Sequence, residues 1–221
     1  MASWVLPYGH WRAGVQRLAV ALIVALAAPA APAEARALHL VALGDSLTAG
    51  YGLPPGQGFA ETLQKALRAK GLDVEVANAG VSGDTAADGL ARYDWAAPPG
   101  TDAMIVELGA NDMLRGLDPA AAKAALAAIL TRARAAHIAV LLTGMRAAPN
   151  LGPDYQARFD AIYPELANQF GVALYPFFLE GVAGDAKLNQ QDGLHPTKAG
   201  VERIVAAILP AVEALLASVK P

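Results

Sequence analysis

From Leu38 onward, short β-rich runs alternate with longer helix-patterned segments, and no repeat or low-complexity linker breaks the pattern. The runs "LHLVAL" (38–43), "LDVEVAN" (72–78), "DAMIVEL" (102–108), "IAVLLTG" (138–144) and "VALYPF" (172–177) are bounded by turn residues and predict five strands. Strand–helix–strand units close as right-handed crossovers, which demands a parallel sheet covered by helices on both faces. The expected fold class is therefore α/β: a three-layer α/β/α sandwich around a five-stranded, doubly wound, flavodoxin-like sheet.

The intervening segments carry helical spacing. Phe59, Leu63, Ala66, Leu67 and Lys70 form a stripe that stops at Gly71, and Asp118–Pro119 supplies an N-cap and first-turn proline before Leu126, Ile129, Leu130 and Ala133. Tyr155, Phe159, Ile162, Leu166 and Phe170 predict one further helix, kinked at Pro164. The last helix follows His195–Pro196, with Val201, Ile204, Val205, Ile208, Leu209 and Val212 on one face and a bend at Pro210.

Residues 1–35 stand apart. Arg12 and Arg17 precede an unbroken apolar run, Leu18–Ala28, which small residues and prolines follow. Eleven apolar residues fall short of the roughly 20 needed to span a bilayer, and A-x-A triplets end at Ala33 and Ala35. This is the pattern of a cleavable signal peptide, so no stable membrane span is expected, and residues 36–221 form one domain of a secreted or periplasmic protein. Without the leader the chain holds 15 basic and 19 acidic residues, a formal charge of −4, which disfavours nucleic acid as a partner. It has no cysteine, which excludes disulfides, thiol catalysis and thiolate metal ligation.

Doubly wound sheets bind ligands beyond the carboxyl ends of their strands, where the strand order reverses. The first strand ends there in Gly44-Asp45-Ser46, and the third in Gly109-Ala110-Asn111-Asp112. Beyond the leader only Ser46, Ser82 and Ser218 are serines, and Ser218 belongs to the end of the last helix. Among the histidines, His39 falls inside a strand and His137 at a helix-to-strand turn, which leaves His195 in the loop "DGLHP". A nucleophilic serine needs a base, and the base needs a carboxylate to orient it; Asp192 and His195 provide both within one turn. The same residues also read as an Asp-Gly turn and a helix start, and Asn111 as a local cap. Acyl transfer further needs donors for the developing oxyanion, for which Asn111 and the backbone N–H of Gly80 in "NAGVSGDTA" are candidates.

"GDSLTAGYG", Gly80 in "NAGVSGDT", "GAND" (109–112) and "DGLHP" (192–196) resemble, in order and spacing, the four sequence blocks of the SGNH (GDSL) hydrolases. Residues 144–167 are most similar to the bacterial thioesterase I, lysophospholipase and arylesterase group. The resemblance implies Ser46 as nucleophile, His195 as general base and acid, and Asp192 as its orienting partner. It implies an oxyanion hole of the Ser46 and Gly80 N–H groups with the Asn111 amide, a structural Asp45, and no metal or cofactor. The expected substrates are small-molecule esters or lipids: aryl esters, short- to medium-chain acyl esters, lysophospholipids or acyl thioesters. Met113, Leu114, Leu117, Phe177, Phe178 and Leu179 are candidates either for an acyl groove or for core. An acetyl esterase acting on carbohydrate is the alternative within the same fold. Outside it stand a metal-dependent phosphoesterase drawing on Asp45, Asn111, Asp112 and His195, and a non-catalytic binding module. Neither Ser46 nor Ser82 lies in the G-x-S-x-G elbow of the α/β-hydrolase fold, since Thr48 and Asp84 replace the second glycine.

Overall fold

The computed structural model describes residues 1–4 and 36–219. The chain divides into two units, Met1–Arg36 and Ala37–Pro221. Of the first, the described residues are all exposed, and the apolar run and small-residue triplets read as a signal peptide lie outside the described residues.

The second unit contains five strands, β1 (Leu38–Gly44), β2 (Val74–Gly80), β3 (Ala103–Glu107), β4 (Ala139–Thr143) and β5 (Ala173–Tyr175). All neighbours pair in parallel, in the order β2-β1-β3-β4-β5. The order reverses between β1 and β3, as a doubly wound sheet requires. In register, Gly44 lies opposite Gly80 on one side and Glu107 on the other, so three strands end at one level and deliver three loops to one place. β3 is buried at every residue, as expected of a central strand covered on both faces.

A short helix, α1 (Ser46–Ala49), follows β1 directly, and α2 (Phe59–Ala69) then leads to β2. α3 (Ala86–Ala91) and α4 (Tyr93–Ala96) precede β3, and α5 (Ala110–Leu114) and α6 (Pro119–Ala135) follow it. α7 (Pro153–Asp160) and α8 (Ile162–Phe170) connect β4 to β5, and α9 (Lys198–Ser218) closes the chain. α2 packs against α9, while α3 and α8 pack against α6, which gives the outer layers. The anticipated stripes face inward: Phe59, Leu63 and Leu67 on α2, Leu126, Ile129 and Leu130 on α6.

Three expectations are corrected. β2 starts and ends two residues later than its β-rich run, because Leu72 is still held to Leu67 O by the turn that closes α2, while pairing continues to Gly80. The single helix expected around Pro164 is two, broken at Ala161. Proline has no N–H to offer the carbonyl of residue 160 and its ring crowds that carbonyl, so the first helix ends there and Pro164 is absorbed into the first turn of the second. α9 begins at Lys198 and is capped not by His195 but by Thr197, whose Oγ1 accepts the N–H of Gly200; it runs on through Pro210, with Leu209 only half buried.

Phe59 is buried and meets Phe178 edge-on, with ring centroids 5.0 Å apart. Phe59→Ala is expected to destabilise the fold by about 3–5 kcal/mol, read as a lower urea midpoint at unchanged m-value.

Candidate active site

The chain turns sharply between β1 and α1. Asp45 caps α1, its Oδ1 accepting from Leu47 N–H at 2.9 Å, which leaves Ser46 as the first helical residue. At that position a backbone N–H has no acceptor within the helix. Ser46 is half buried. Its Oγ lies 2.9 Å from His195 Nε2, and His195 Nδ1 lies 2.7 Å from Asp192 Oδ2. The other carboxylate oxygen of Asp192 accepts the N–H groups of Leu194 and His195 at 2.9 and 3.0 Å, so a single turn fixes both carboxylate and imidazole. These bonds, that from the His195 N–H foremost, pull the Asp192 carboxyl down to about 2, and it is ionised throughout the neutral range. A hydroxyl, an imidazole and a carboxylate thus stand in series, which suits proton transfer from an attacking serine.

The structure brings Ser46, His195 and Asp192 together. His195 bonds to Ser46 and not to Ser82, which is exposed in the loop after β2, while His39 and His137 are exposed elsewhere. Asn111 lies beside this series and not in it: its Nδ2 donates to Asp45 Oδ2, in the residue before Ser46, at 3.1 Å and to Asp84 O at 3.0 Å. Gly80 ends β2 against α1, where an added Cβ would stand 2.3 Å from Ala49 N, so only glycine fits. Its N–H donates to Asn78 Oδ1 at 3.0 Å. Of the apolar candidates, Phe178 belongs to the core and Met113, Phe177 and Leu179 pack partly against it, whereas Leu114 and Leu117 are exposed. Asp112 is engaged elsewhere, its Oδ2 accepting the Ala86 N–H of α3 at 2.8 Å. Among the described residues no group of three or more His, Asp or Glu is placed to hold a metal ion.

Glu107 is a site residue that the sequence reading missed. It is fully buried at the end of β3, where Oε2 accepts from Thr48 Oγ1 at 2.8 Å and faces the Asp45 N–H at 3.4 Å, while Oε1 has no partner. Burial, and after it the charge of Asp45, pushes its carboxyl well above the ordinary glutamate range; burial likewise pushes Asp45 up to about 6. The available signal was one charged residue inside the β-rich run "AMIVEL".

A doubly wound sheet carrying the Ser46–His195–Asp192 series at its switch point is the architecture of an acyl hydrolase, and similarity to known proteins places the chain in that class. The GDSL-like lipase/acylhydrolase family is matched over residues 42–203, and the chain belongs to that family. The esterase TesA of Pseudomonas aeruginosa is 43% identical over 184 residues, covering 83% of this chain and 92% of its own. The Escherichia coli protein named thioesterase 1/protease 1/lysophospholipase L1 is 38% identical over 168 residues, 72% of this chain and 76% of that one. The crystal structure of AlinE4, an SGNH-hydrolase family esterase, aligns with a TM-score of 0.70 at 48% identity, covering 82% of this chain and 98% of that one.

Carboxyls whose pKa is raised by folding contribute stability that is fully present below their unfolded pKa and is lost as pH rises through the folded value, for Asp45 between 3.8 and about 6. Glu107→Gln keeps an acceptor for Thr48 and removes one such group. Its Tm is expected to exceed that of the parent by several degrees at pH 8, each kcal/mol being worth about 2–4 °C at this chain length, with the gap closing toward pH 4. An equal gap at both pH values would show that Glu107 does not titrate as its burial demands.

Proposed function

We propose that this chain is an exported carboxylic-ester hydrolase working through an acyl-enzyme. Ser46 Oγ attacks the ester carbonyl as His195 Nε2 takes its proton; the imidazolium, balanced by Asp192, returns that proton to the leaving alkoxide. Water then attacks the acyl carbonyl as His195 takes its proton; the bond to Ser46 Oγ breaks, the imidazolium returns the proton to that oxygen, and the acid leaves. The observation that carries the reading is the unbroken hydrogen-bonded series from Ser46 through His195 to Asp192 at the strand-order switch point.

The oxyanion is received by the N–H groups of Ser46 and Gly80 and by Asn111 Nδ2. Two of these donors already have partners: Gly80 N–H on Asn78, and Asn111 Nδ2 on Asp45 and Asp84. An incoming oxyanion shares or displaces those bonds, and being charged it is a stronger acceptor than the Asn78 amide oxygen and the Asp84 carbonyl it competes with.

The substrates are aryl esters, short- to medium-chain acyl esters and lysophospholipids, with acyl thioesters as a further class. Esterase and thioesterase/lysophospholipase are words in the names of two relatives, and Tyr51, Leu114, Leu117 and Leu194 offer exposed apolar surface on the segments that follow β1 and β3 and on the His195 loop. Export rests on Arg12, Arg17, Leu18–Ala28 and the small-residue triplets at Ala33 and Ala35. No helix among the described residues is long and apolar enough to cross a membrane. Export favours oxygen esters over acyl-CoA, a cytoplasmic metabolite.

Ser46→Ala is expected to lower kcat/KM for p-nitrophenyl butyrate by at least about 10³-fold, and Asp192→Asn by about 10³–10⁴-fold. A fluorophosphonate is expected to label Ser46 in the parent and nothing in the Ser46→Ala variant, as read by peptide mass spectrometry. Near-parental hydrolysis by Ser46→Ala would sink the mechanism. Activity confined to acetylated sugars in a chain-length series would instead overturn the substrate class.

A further inference from the structure

The two halves of the site come from opposite ends of the domain: Ser46 and His195 are 149 positions apart. One side chain outside the proposed triad joins their loops directly. Gln190 is half buried, and its Nε2 donates to Tyr51 O at 2.8 Å and to Pro196 O at 3.0 Å. Tyr51 N–H in turn donates to Ser46 O at 3.1 Å, and Gln190 N–H donates to His195 O at 2.7 Å. Each end of this bridge is therefore one hydrogen bond from a residue of the Ser46–His195 pair. The close approach depends on Gly52, where a Cβ would lie 2.3 Å from Gln190 Oε1. The bridge also holds the Tyr51 ring beside the imidazole, with centroids 4.5 Å apart and planes tilted by 40°. The His195 loop is anchored from behind by buried Asn189, whose Nδ2 donates to Val182 O and Asp185 O.

We infer that Gln190 is a positioning residue for ester hydrolysis: its amide straps the Ser46 loop to the His195 loop and sets the distance between hydroxyl and imidazole. This rests on the reading of Ser46 and His195 as nucleophile and base. Gln190 touches neither reacting atom. It acts on geometry alone, and a displacement of about 1 Å in such a pair costs up to about 10²-fold in rate.

Two variants separate this role from simple packing. Gln190→Met keeps the length of the side chain and loses both donated hydrogen bonds. It is expected to lower kcat for p-nitrophenyl butyrate about 10- to 100-fold with KM within about twofold, and to slow fluorophosphonate labelling of Ser46 by the same factor. Gln190→Glu sets a carboxylate against two carbonyl oxygens at pH 8, and regains one donor when protonated. Its activity relative to the parent is therefore expected to recover as pH falls from 8 toward 5, with circular dichroism confirming the fold at each pH. A parental kcat in Gln190→Met, a loss confined to KM, or a pH-independent Gln190→Glu ratio would each overturn the strap. If Gln190→Met fails to fold, the Gln190→Glu ratio decides. Should Ser46→Ala keep its activity, the nucleophile reading falls and the strap with it; an inactive Ser46→Ala beside a fully active Gln190→Met removes the strap alone.

Discussion

The register of the three central strands is the constraint on which the site depends. Gly44 pairs with Gly80 and with Glu107, so β1, β2 and β3 end together and their loops start from one line. A slip of one residue in any of these ladders would turn each side chain of that strand to the other face of the sheet. Ser46 would then no longer meet the loop that carries His195. Between β1 and β3, which are buried on both faces where they pair, such a slip is excluded, and the geometry of the site is inherited from the core rather than built by the loops.

Beneath the Ser46 loop the fold accepts a local cost. Asp45, Thr48 and Glu107 are completely buried, and one Glu107 oxygen has no hydrogen-bond partner. Burying two carboxyls side by side opposes folding, and the caps and hydrogen bonds they supply only partly offset it. In return the turn from β1 into α1 is held from both sides: Asp45 binds Leu47 and Asn111, and Glu107 binds Thr48. Such local expense is common where a structure holds reactive groups in one geometry.

Much of this was legible in the sequence, for different reasons in different places. Strand number and layering followed from the alternation of β-rich and helical segments, since parallel connections leave few topologies. Ser46 and His195 were legible in part by scarcity, because Ser218, His39 and His137 fell in places unsuited to a site, and Asp192 by its place in the His195 turn; Ser82, also in a loop after a strand, stayed open until the fold set His195 against Ser46. Glu107 was obscured because it occupies one position in an otherwise apolar strand, and its importance comes from Thr48 and Asp45, far away in the chain. Gln190 was invisible for another reason: its amide bonds to main-chain oxygens, for which any residue type would serve, so no paired motif betrays it. The break at Ala161 lay between the two, since Pro164 announced a disturbance without saying on which side of the proline the helix would end.

The 149-residue gap between Ser46 and His195 also has a bearing on when the protein becomes active. Contacts this distant in sequence form late, after the intervening chain has been ordered. A chain still emerging, a fragment that ends before His195, or a misfolded species with β1 out of place brings no imidazole to Ser46. On the proposed mechanism, ester cleavage is then a property of the finished domain alone, and its appearance during refolding times the joining of the first strand to the loop before the last helix.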